Sequence, residues 1–132
     1  MAFEMADWKI ARDANTPSEM LIKLSTHKDS YVRRQVANNH NTPPETLRVL
    51  SKDDDEIVRY CVAANTSTPL DVMMYLATDF SAGVRVRLAN NKSVPPEILV
   101  ILSQDDDMFV QHRVALNPNC PIEIKVEYLL SN

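Results

Sequence analysis

An all-α solenoid built from 26-residue, two-helix repeats is the fold this sequence predicts, and three observations carry it. Pro17, Pro43, Pro69, Pro95 and Pro121 stand 26 residues apart with no insertion or deletion between them. A fixed period of that length marks units that cannot bury an apolar face alone and must stack on their neighbours. Within each period apolar residues recur at helical spacing, i, i+3 and i+4. Gly83 is the only glycine among 132 residues, which argues against hairpins, Gly-rich phosphate loops and flexible linkers. With each proline as position 1, four full units cover 17–42, 43–68, 69–94 and 95–120. Partial units, 1–16 and 121–132, stand at the two ends of a single domain.

Each unit opens with a helix signal. Thr16-Pro17-Ser18-Glu19 and Thr42-Pro43-Pro44-Glu45 read as capping boxes with proline at the first helical position. Thr68-Pro69-Leu70-Asp71 is a variant. Val94 and Cys120 replace the hydroxyl in the last two units, which predicts weaker helix starts there. Leu21 and Leu24, Leu47 and Leu50, Met73 and Leu76, Leu99 and Leu102 mark the core face at positions 5 and 8. The pattern predicts a first helix of about ten residues.

A second helix follows an acidic turn. Asp53-Asp54-Asp55-Glu56 and Asp105-Asp106-Asp107 offer oxygens and negative charge to a helix N-terminus. Val32, Val58, Val84 and Val110 begin its core face, and Val36, Val62, Leu88 and Val114 continue it four residues on. An alanine comes next in every unit (Ala11, Ala37, Ala63, Ala89, Ala115), small enough for helices to approach closely. Asn39, Asn65, Asn91 and Asn117 read as helix terminators in the left-handed conformation. Ten short helices in alternation are expected.

The string Val-Arg-x-x-Val-Ala-x-Asn-x-Asn-Thr-Pro-x-Glu-x-Leu, carried by Val32-Arg33 through Leu47, resembles the leucine-rich repeat variant family, a short relative of HEAT-like repeats. The resemblance implies a right-handed superhelix whose second helix can be 3₁₀ rather than α. One member of the family holds an iron–sulfur centre on clustered cysteines. Here Cys61 and Cys120 occupy different repeat positions, so no cofactor and no metal are expected. The family names an architecture and leaves function open.

Four sets of side chains stand out. Arg33, Arg59 and Arg85, with Gln111 in the fourth unit, lie near the turn carboxylates Asp29, Asp55, Asp79 and Asp107, and read as a structural ladder between units. Arg34, Tyr60, Arg87, His112 and Arg113 put basic and aromatic residues in register on the second helices, a candidate surface for an anion or nucleic acid. On the first helices, positions 6 and 7 are mostly apolar and turn away from the core. Met74, Tyr75, Val100 and Ile101 there form a candidate protein-binding or self-association surface. The ends are apolar too: Met1, Phe3, Met5 and Trp8 at the start, Ile122, Ile124, Val126, Tyr128, Leu129 and Leu130 at the finish. They read as fold-back caps or as end-to-end contacts between two molecules.

Catalytic signals are weak. The Asp runs suit helix capping better than Ca²⁺ or Mg²⁺ binding, and His27, His40 and His112 share no repeat position. Cys61 lies near the basic residues, which could lower its pKa, yet no base is implied and a buried or idle thiol is the better reading. No apolar run reaches the roughly 18 residues a membrane span needs, and no leader pattern opens the chain. The expectation is a cytoplasmic, non-enzymatic scaffold that binds another protein or itself. The alternative is a nucleic-acid-binding solenoid that uses its second helices.

Overall fold

The structure, a computed structural model, describes residues 6–132 and contains ten α-helices and no strand among them. Met1, Phe3 and Met5 lie outside the described residues. The first helices of the units are α2 (Ser18–Leu24), α4 (Pro44–Leu50), α6 (Leu70–Leu76), α8 (Pro96–Leu102) and α10 (Ile122–Ser131). The second helices are α1 (Asp7–Arg12), α3 (Ser30–Asn38), α5 (Glu56–Ala64), α7 (Ala82–Ala89) and α9 (Met108–Leu116). The second helices are α-helical rather than 3₁₀. The first helices, apart from α10, run seven residues and not about ten. In three of them a serine ends the helix: the hydroxyls of Ser25, Ser51 and Ser103 donate back to the carbonyls of Ile22, Arg48 and Val100. Side-chain bonds of this kind divert a backbone from continuing a helix.

The proline column does not sit where the sequence places it. Pro17, Pro43, Pro69, Pro95 and Pro121 are N-cap residues, one position before each helix, and Pro44 and Pro96 take the first helical position. An N-cap needs extended ψ and a carbonyl that accepts the first helical bond, and proline supplies both without needing its missing N–H. Pro43 O, for example, accepts from Thr46 N and Leu47 N. The threonines before the prolines cap nothing ahead of them. Thr16, Thr42 and Thr68 donate backwards, to Ile10 O, Val36 O and Val62 O in the preceding second helix, at 2.5, 2.6 and 2.7 Å. Val94 keeps the same buried place without the hydroxyl, so the replacement removes a backward bond and no cap from the helix that follows.

One continuous apolar core runs from Ala11 to Val114. Leu21, Leu47, Leu76, Leu99 and Leu102 are buried from the first helices, and Val36, Val58, Val62 and Leu88 from the second. Successive second helices pack directly on one another, α1 on α3, α3 on α5, α5 on α7 and α7 on α9. Neighbouring first helices stand further apart. The alanine column lies in that tight layer, with Ala11, Ala37, Ala63 and Ala89 fully buried. A methyl side chain permits such an approach where a larger one would hold the helices apart. At the last unit α10 lies along α9 more closely than α4, α6 and α8 lie along α3, α5 and α7. Ile124 packs on the core from there, while Ile122, Leu129 and Leu130 stay exposed.

Candidate functional site

Two ladders hold successive units in register, and their geometry decides which polar residues remain for anything else. The first is asparagine. Asn65 Nδ2 donates to Ala37 O at 2.9 Å and Asn39 O at 3.1 Å, while its Oδ1 accepts from Ser67 N at 2.8 Å. Asn39, Asn91 and Asn117 repeat the pattern on the carbonyls of Ala11 and Asp13, Ala63 and Asn65, Ala89 and Asn91. All four are buried. No described residue has positive φ, so these asparagines are not left-handed terminators. They are there for an amide that donates twice and accepts once, a set of bonds no other side chain but glutamine offers.

The second ladder is ionic. Arg33 Nε bonds Asp53 Oδ2 at 2.8 Å, Arg59 Nε bonds Asp79 Oδ2 at 2.9 Å, and Arg85 Nε bonds Asp105 Oδ2 at 2.7 Å. Each arginine also turns Nη1 back to a carbonyl of its own unit: His27 O, Asp53 O and Asp79 O. Each guanidinium therefore ties one turn to the next. The aspartate bonds raise the arginine pKa values further. Of the turn acids the sequence suggested, only Asp79 holds a ladder arginine; the other two partners are Asp53 and Asp105. Asp29, Asp55 and Asp107 lie two residues further on and cap helices, accepting from Tyr31 N, Ile57 N and Phe109 N. Gln111 keeps the bond to its own turn, at Asp105 O, without a carboxylate beyond. At the opposite end the polarity reverses: Asp7 takes the arginine position and pairs with His27 Nε2 at 2.9 Å. His27 Nδ1 meanwhile accepts from Asp29 N, as Asp53 Oδ1 accepts from Asp55 N.

The Asp runs are thereby consumed. Asp53 and Asp105 hold arginines, Asp55 and Asp107 cap helices, and Asp54 and Asp106 face solvent. Among the described residues no three His, Cys, Asp or Glu side chains gather as a metal site.

The basic and aromatic set on the second helices is divided. Arg34 Nε bonds Asp55 Oδ2 at 2.7 Å and holds that carboxyl below the usual carboxylate range. Arg87 lies over the Tyr60 ring at 5.3 Å. His112 Nδ1 meets the Tyr128 hydroxyl at 3.0 Å, and Arg113 is exposed. Trp8 and Tyr31 stack edge to face at the other end. Cys61 is buried between Arg34 and Arg87, and burial pushes its thiol up despite them. Iodoacetamide at pH 8 is therefore expected to label Cys61 at least about tenfold more slowly than a free thiol, as followed by mass spectrometry. Labelling at the free-thiol rate would contradict its burial.

The outer stripe of the first helices is the remaining feature. Met74 is 47% exposed, Tyr75 50%, Val100 46% and Ile101 40%. The same helices bury Val72, Met73, Leu76, Ile98, Leu99 and Leu102 on the inner side. Phe80, in the turn after α6, is 99% exposed, and it shares with Tyr75, Asp54 and Lys52 the lining of a shallow hollow between turns. Sequence reasoning passed over Phe80. The signal was its position, which carries lysine or aspartate in the other full units (Lys28, Asp54, Asp106).

Repeat geometry and sequence now meet. Residues 32–55 match the Leucine rich repeat variant family. The matched stretch runs from the core of α3 through α4 to the cap of α5, just under one 26-residue unit of this chain. The ladder bonds of that unit recur at Asn65, Asn91 and Asn117, and at Arg59 and Arg85. Among curated proteins and solved structures, none matches the chain.

Proposed function

We propose that this chain is a helical-repeat scaffold, without catalytic activity of its own, that binds another protein through the outer face of α6 and α8. The observation behind this reading is the exposure of Met74, Tyr75, Val100 and Ile101 on two adjacent helices whose inner sides are already packed. A half-exposed apolar cluster of this kind costs solubility unless something covers it. The tighter packing of the second-helix layer supports a stack that curves towards that layer, which leaves the first helices on the wide outer side. We take the superhelix as right-handed, as the family resemblance implies, and as one domain throughout.

The nucleic-acid alternative draws less support. Of its five residues Arg34 is neutralised by Asp55, His112 is bonded to Tyr128, and Arg87 is engaged with Tyr60. Among the described residues no helix is long and apolar enough to cross a membrane. The test is a crosslinking pull-down from the native host with the wild-type chain and with Met74→Asp/Ile101→Asp. Partners captured by the wild type should be lost by the variant, with circular dichroism unchanged. Partners retained by the variant, or lost instead through Arg87→Ala/Arg113→Ala, would move the binding surface elsewhere.

A further inference from the structure

The outer face has a charge pattern as regular as its apolar one. Position 3 of every first helix is acidic: Glu19, Glu45, Asp71, Glu97 and Glu123, all exposed. On a helix, positions 3, 6 and 7 share one face, so each acid lies beside the exposed pair of its own unit. Arg48, at position 6, shows how units adjoin along this face. Its guanidinium bonds Glu45 Oε2 of its own helix at 2.8 Å and Asp71 Oδ2 of the next at 2.8 Å. A cation at position 6 thus bridges two successive acids. In the next two units Met74 and Val100 hold position 6 instead, and α6 and α8 contain no lysine or arginine at all. Among the described residues Glu97 and Glu123 take no ion pair. The stripe keeps the acids of the Arg48 rung and replaces its cation with apolar surface.

We propose that the partner segment on α6 and α8 is basic and amphipathic. Its apolar side chains rest on Met74, Tyr75, Val100 and Ile101. Its lysines or arginines take, at Glu97 and Glu123, the place that Arg48 fills from within the chain two units earlier. This rests on the outer-face reading above and adds the chemistry of the occupant. Acids in the first turn also suit the helix dipole, which explains why every unit has one. The dipole does not explain the loss of the bridging cation in the units where the apolar cluster appears. Charge-assisted bonds to a partner guanidinium at those acids would fix register along the stripe, with the apolar contacts supplying most of the affinity.

A library of displayed random peptides of about 16 residues, long enough to cross two packed helices, tests this on the folded chain. Enriched peptides should alternate apolar and basic residues with net positive charge. Their affinity should fall about tenfold or more in Met74→Asp/Ile101→Asp, and about fivefold in Glu97→Gln/Glu123→Gln. It should also weaken with added salt. Met74→Ser/Ile101→Ser, milder at the same sites, should show an intermediate loss and guards against misfolding of the aspartate variant. Enrichment of neutral or acidic peptides that still need Met74 and Ile101 would overturn the basic partner and leave the outer-face reading standing. No enrichment, or binding indifferent to both apolar variants, would overturn both.

Discussion

Asn65→Leu is expected to destabilise the chain by about 3 kcal/mol, seen in urea unfolding as a lower midpoint and in heating as a loss of roughly 10 °C. The size follows from what the leucine abandons. Ala37 O and Asn39 O lose their side-chain donor in a buried layer, Asn39 O keeping only the Thr42 N–H, and Ser67 N, in the half-buried turn beyond, loses its acceptor. Each unsatisfied buried group costs about 1–3 kcal/mol, and the gain from a larger apolar side chain offsets only part of it. Asn65→Asp separates the bonds from the volume. Its carboxylate keeps the Ser67 bond but faces two carbonyl oxygens with no hydrogen to give them. A carboxyl so placed binds its proton more tightly folded than unfolded, so its folded pKa is raised. Its penalty is then smallest below about pH 4 and grows as pH rises. A loss for Asn65→Leu within about 0.5 kcal/mol of zero would mean that the amide only fills space.

The fold was legible because the residues that encode it repeat: leucines and valines at fixed positions leave one architecture in which they can all be buried, and the prolines mark where each first helix begins. The apolar cluster at Met74, Tyr75, Val100 and Ile101 was legible for a similar reason, since helical geometry alone turns positions 6 and 7 away from positions 5 and 8. The role of the asparagines was not. Their partners are backbone carbonyls 26 and 28 residues away, and a carbonyl leaves no mark of residue type to read. Thr42 and Thr68 hid their acceptors in the same way. The arginine ladder was half legible. Asp53 and Asp55 are both acidic and two residues apart, so a single unit cannot say which one an arginine reaches. A comparison of rungs could have. Where Arg33, Arg59 and Arg85 stand, the next unit offers Asp53, Asp79 and Asp105. Where Asp7 stands it offers His27, and after Gln111 the same position is Ser131. The two columns vary together within one chain, the trace a pairwise contact leaves in a repeat.

Arg59→Met is expected to cost about 3 kcal/mol, because it strands a buried charge. The Asp79 side chain is 5% exposed, and Arg59 provides both its counter-charge and two of its hydrogen bonds. The same substitution leaves Asp53 O without the Nη1 donor that reaches it at 2.8 Å. Arg59→Lys should fall between wild type and methionine, since an ammonium cannot bond two carboxylate oxygens and a carbonyl in one plane. Adding Asp79→Asn to Arg59→Met should recover about half the loss, because the amide still accepts from Ser81 N and carries no charge to strand. A double variant no better than Arg59→Met would show that the arginine acts through the carbonyl and not through the ion pair. Arg48→Met supplies the comparison. Arg48 makes the same two-oxygen pair with Asp71, but there the carboxylate is 62% exposed and water can take over at once. Its removal should leave the unfolding midpoint unchanged. The chemistry of the two rungs is alike, and burial decides which of them the stack depends on.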